Sequence, residues 1–164
     1  MKVINNRQIV ADSWQRIDDE SNIENLPSDK IIVSLAFWNE HKQSLAARDD
    51  ALGITLNPEE DVAEIAADLS SFALVVLQFP AFRDGRAYSQ ARNLRLHYDY
   101  QGEIRASGNV LRDQLAFMER VGFNSFEIDE HQDINDAING FDEVEVKYQA
   151  SSDEPLPLYK RLTA

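Results

Sequence analysis

Residues 79–114 read FPAFRDGRAYSQARNLRLHYDYQGEIRASGNVLRDQ, and they follow FALVVLQF, Phe72–Phe79, an uncharged apolar run of strand length. Such a run reads as a strand buried on both faces. Pro80–Arg86 forms a loop, after which Ala87, Ala91, Leu94 and Tyr98 recur at helical spacing. Gly102–Ala106 is the next strand and Ser107–Asn109 the next loop. Asn109–Val121 is the next helix, with Val110 or Leu111, Leu115, Met118 and Val121 along its stripe and Gly122 as its stop. Parallel neighbours in a sheet need a crossover, so this strand–helix repetition predicts a parallel arrangement.

The same pattern extends outward. Upstream, Ile31–Trp38, IIVSLAFW, is an apolar strand followed by Asn39 and a helix-like segment. Leu52–Leu56 is a short strand, and Asn57-Pro58 with Glu59, Glu60 and Asp61 reads as a helix cap, an N1 proline and an acidic first turn. Val62, Ile65, Ala66 and Leu69 continue that helix. Downstream, Ser125–Ile128 is a fifth strand and Asp129–Gly140 a closing helix. About five strand–helix units over residues 31–140 predict an α/β fold with a mainly parallel sheet, either open or a partial barrel. Residues 1–30 read as a hairpin or edge strand around Asn5-Asn6 and a polar connector. Residues 141–164 read as an exposed strand, EVEVKYQ, and an extended stretch around Pro155 and Pro157 that covers an edge or reaches a second subunit in a homodimer. The 164 residues are one domain's length.

Composition narrows the chemistry. A net charge of -13 argues against affinity for nucleic acid or anionic lipid, whereas a basic protein surface is a natural partner. Without cysteine there is no disulfide, dithiol centre, thiolate zinc site or cysteine-held cluster, and the residues name no other cofactor. No apolar run approaches the roughly 20 residues of a membrane span, and MKVINNRQIV lacks a secretion signal's apolar core, so the expected location is the cytoplasm.

Ligands of parallel α/β folds bind beyond the carboxyl ends of the strands. That rule selects Trp38, Asn39 and His41; Arg83, Asp84 and Arg86; Ser107, Gly108 and Asn109; and Asp129, Glu130 and His131. Arg83 and Arg86 beside Gly85 can hold a phosphate, sulfate or carboxylate, or Asp84 can pair with them and order the loop. Arg112, in a first turn where the helix dipole disfavours a cation, meets either an anion or a carboxylate such as Asp113. Glu103 and Arg105 share one strand face and Ser125 and Glu127 another. On adjacent strands, Arg105 joins the anion-binding set while Glu103, Asp113 or Glu127 supplies an acid or base, or the same charges form a structural network. His41, His97 and His131 follow no ligand spacing, so no metal site is expected, and no dinucleotide or P-loop fingerprint occurs.

The segments FPAFRDGRAYSQARNLR (79–95) and GEIRASGNVLRDQLAFMERVGFNSFEI (102–128), with the tail YQASSDEPLPLYKR, resemble a bacterial family known as a domain of unknown function. Its members are often labelled oxidoreductases of sulfite reduction. Where that family commonly has an aspartate after the glycine of the second motif, this chain has Asn109, while Asp113 is present. The resemblance implies a role in assimilatory sulfur metabolism, beside sulfite reductase or its electron donor. Two readings follow: an accessory protein that binds a small anion, the reductase or both, and a small α/β oxidoreductase acting on an anionic metabolite.

Overall fold

The computed structural model describes residues 1–143, 149–152, 154 and 156–161. Eight strands form one sheet: β1 (Lys2–Asn5), β2 (Gln8–Ala11), β3 (Gln15–Arg16), β4 (Ile31–Ser34), β5 (Leu52–Leu56), β6 (Leu74–Phe79), β7 (Glu103–Gly108) and β8 (Ser125–Phe126). Their order is β2-β1-β8-β7-β6-β5-β4-β3. Every ladder from β3 to β8 is parallel. β1 runs antiparallel to both β8 and β2, so the sheet is mixed, though mostly parallel, rather than mainly parallel as expected. The cause is the N-terminal hairpin, turned at Asn6 and Arg7 with φ of 47° and 60°. A hairpin joins a sheet edge without a crossover helix, so nothing forces its direction to match.

Alternation along the strands sorts side chains onto two faces. Val33, Ile54, Val75, Leu77, Ile104 and Ala106 occupy one face and merge with the main core. Helices α1 (Leu35–Ala46), α2 (Arg86–Leu96) and α3 (Leu115–Val121) and a 3₁₀ helix (Val62–Ser71) cover that face through Phe37, Ile65, Ala91 and Met118. Each large apolar side chain buried there contributes roughly 1.5–3 kcal/mol. The other face carries a small apolar cluster of Ile32, Leu74 and Val76 under Trp14. Beyond it the residues are polar: Glu103, Arg105, Ser107 and Ser125. The sheet curls into a half-barrel around this second face.

Several boundaries moved. Ser34 caps α1 by accepting the Phe37 N–H at 3.0 Å, so Leu35–Trp38 form a helical turn instead of ending a strand. An apolar run of that length satisfies either periodicity, and the cap decides. The next helix starts at Val62, not after Asn57, because Asp61 and Glu64 form a capping box. Residues 112–121 divide into a 3₁₀ turn (Arg112–Gln114) and α3, which stops at Gly122 with φ of 123°. Two short helical pieces follow β8, α4 (Ile134–Ala137) and a 3₁₀ turn (Ile138–Asp142). In the tail, Leu158–Arg161 forms α5 rather than an extended segment, with Pro157 O accepting from Lys160 and Arg161 N–H. The strand expected over EVEVKYQ falls largely outside the described residues, at 144–148.

Candidate functional site

The carboxyl ends of β6 and β7 are built to expose a polar step. Their register sets Gln78 beside Ser107 and Phe79 beside Gly108. Gly108 has φ of 97°, and a Cβ there would lie 2.4 Å from Phe79 O, so only glycine permits this turn. Asn109 N–H then donates to Phe79 O at 2.8 Å, closing the loop against β6. Below the turn Ser107 is 4% exposed and faces inward.

Arg16 completes the step from the far edge of the sheet. Its Nη2 donates to Ser107 Oγ at 3.0 Å and to Glu127 Oε2 at 2.6 Å. β3 stands four places from β7 in the sheet, so this contact requires the curl and bridges the mouth of the half-barrel. A cleft of about 450 Å³ opens here, bounded by Arg16, Gln78, Ser107, Glu127, Asp129 and Glu130. Asp129 is partly engaged, accepting the His131 N–H at 3.0 Å and Asn109 Nδ2 at 3.3 Å. The cleft offers donors from a guanidinium, an amide and a hydroxyl, facing carboxylates.

The expected anion-binding arginines do not converge. Arg86 grips Asp84 at 2.6 Å and Glu59 at 3.0 Å on the surface. The Arg86 hydrogen bond holds the Asp84 carboxyl below the usual aspartate range, and Asp84 in turn raises the guanidinium. Gly85 sits at the α2 N-cap without a side-chain cap bond. Arg83 is exposed and forms no ion pair with a described residue. Arg112 binds Asp136 at 2.6 Å and Glu143 at 2.8 Å. Arg105, 2% exposed, donates to Asp12, Glu103 and Ser125. Among the described residues no two of these arginines share an ion-pair partner.

The acid–base candidates are dispersed as well. Glu103 borders a small cavity of about 170 Å³ with Arg105 and Asp12, whereas Glu127 lies in the larger cleft, so the single pocket expected for Glu103, Arg105 and Glu127 is two. Asp113 is exposed near Tyr88, whose phenol is raised mainly by burial and secondarily by that carboxylate. Trp38, Asn39 and His41 are part of α1 rather than a strand-end loop, with Trp38 in the core and the His41 ring tilted against Phe37 at a centroid distance of 4.5 Å. Among the described residues no cluster of His, Cys, Asp or Glu is placed to hold a metal ion.

Against known families, the model described as a bacterial protein of unknown function (DUF934) matches residues 53–159. The chain belongs to this family. No curated protein matches it. The DUF934 match contains Gln78, Ser107, Gly108, Glu127, Asp129 and Glu130, but Arg16 lies outside it. Sequence reasoning missed Arg16, because a two-residue strand ahead of a polar connector carries no local signal of a partner on β7.

Proposed function

We propose that this DUF934 protein is an accessory protein of assimilatory sulfite reduction that docks through its acidic surface onto a basic face of sulfite reductase or of its electron donor. The observation that carries the docking is the internal neutralisation of its arginines. Arg86, Arg105 and Arg112 are each held by the protein's own carboxylates, which leaves the net charge of -13 as a surplus of acids. Glu130 exposes 89% of its side chain, and Asp142 and Glu59, although paired with Arg7 and Arg86, still expose 81% and 69%. Such a surface steers encounter with a basic partner and sets its orientation. The same neutralisation weakens the case for a free anion at Arg86, whereas Arg83 is exposed and has no ion pair among the described residues. Sulfite reduction enters through the resemblance of the two central motifs to proteins carrying that label.

Binding to purified sulfite reductase and to its electron donor tests the proposal at about 50 and about 500 mM NaCl, a range over which the Debye length falls several-fold. Expected are an affinity that drops at least about tenfold at the higher salt and a change in reductase turnover when the protein is added. Absent or salt-insensitive binding would sink it.

A further inference from the structure

The cleft at the mouth of the half-barrel sets donors of Arg16 that take no part in its tie to β7 beside a group of carboxylates. Arg16 uses only Nη2 to reach Ser107 and Glu127, leaving the N–H groups of Nε and Nη1 without a described acceptor, and its side chain is 41% exposed. Around it stand three carboxylates, Glu127, Asp129 and Glu130, and Met1 also lines the cleft. Ser107 beneath is almost wholly buried, so the floor is fixed by the β6–β7 register rather than by mobile surface chains.

A simple anion entering this cleft meets Arg16 but also three negative charges, and a simple cation meets the carboxylates but also the guanidinium. A molecule carrying both charges a few bonds apart satisfies each wall. The volume of about 450 Å³ lies within the roughly 300–1,000 Å³ of small-molecule sites and admits a single amino acid. We infer that this cleft binds a small α-amino acid, its carboxylate on the free N–H groups of Arg16 and its ammonium on Glu127 and Glu130. Three acids against Arg16 and the amino group of Met1 leave the lining net negative, which favours a ligand with a second ammonium. Guanidinium forks recognise carboxylates with geometric selectivity, so Arg16 sets orientation. The inference needs no reductase and stands apart from the docking proposal.

Calorimetric titration of the full chain at low salt with L-lysine, cadaverine and 6-aminohexanoate tests it, since the last two lack the carboxylate and the α-ammonium respectively. L-lysine is expected to bind at least about tenfold more tightly than either, a difference of about 1.4 kcal/mol. Arg16→Gln should erase the preference for L-lysine over cadaverine without removing cadaverine binding. Because Arg16 also ties β3 to β7, Glu130→Gln at an exposed side chain is the second variant, and it should weaken L-lysine and cadaverine several-fold alike. No heat with L-lysine at about 10 mM, far weaker than ordinary metabolite affinities, would overturn the inference. So would equal affinity for cadaverine, or full L-lysine affinity in both variants.

Discussion

At the scale of single residues, the Pro80–Arg86 loop shows how a motif of the right composition can be occupied with its own charges. Asp84 Oδ1 accepts both the backbone N–H and Nε of Arg86, and Oδ2 accepts Nη2. The guanidinium is therefore spent on the residue two positions before it. Asp84 has a depressed folded pKa, so its contribution is fully present above the ordinary aspartate value near ~4 and is lost as pH falls through the lower folded value. Carbon-detected NMR titration should place the Asp84 midpoint below that of an exposed aspartate, and Arg86→Gln should move it upward. An unchanged midpoint in the variant would show that the pair does not exist in solution. Arg83, by contrast, lies on the same loop without such a partner among the described residues, and sequence spacing alone did not separate the two.

At the scale of elements, β7 carries the deeply buried ion pairs that Arg105 makes with Asp12 and Glu103. Alternation along Glu103–Gly108 puts Ile104 and Ala106 into the helix-covered core and turns Glu103, Arg105 and Ser107 to the other face. That division was legible from period two alone for Glu103, Arg105, Ile104 and Ala106, whereas Ser107 read as the start of a loop and the register that sets Ser125 beside Arg105 came from the pairing of β7 with β8. Asp12 was not legible, because it reaches Arg105 from the loop after the hairpin, 93 residues away in sequence. The Asp12–Arg105 bridge of 3.0 Å is nearly closed to water, with side chains 8% and 2% exposed. Arg105→Met should leave Asp12 and Glu103 as uncompensated charges and cost about 3–5 kcal/mol in urea unfolding. Adding Asp12→Asn should recover part of that loss. A single-variant cost under about 1 kcal/mol would mean that the hairpin is not clamped this way.

At the scale of the whole molecule, a net charge of -13 repels itself, and most of the ion pairs that offset it are exposed and individually worth little. The buried Arg105 cluster is screened far less than the surface. Raising NaCl from about 20 to about 300 mM should therefore relieve more repulsion than attraction. A gain of about 1 kcal/mol would raise the melting temperature by about 2–4 °C in calorimetry. A fall would place the decisive attractions on the surface instead.

What the amino-acid sequence determined by itself is whatever depends on neighbours within a few positions. Strand and helix order over residues 31–140, the two-faced reading of β7, the stop at Gly122 and the motifs of the DUF934 family are all local patterns of hydrophobicity, backbone freedom and residue identity. The tertiary structure alone decided that the sheet is mixed and curled, that Asp12 clamps Arg105, and that Arg16 meets Ser107 and Glu127 across the half-barrel mouth. Each depends on contacts between residues about 90 or more positions apart. Such contacts form because long charged side chains from an edge strand and a hairpin find partners when the sheet bends, and no periodicity in the chain encodes that meeting.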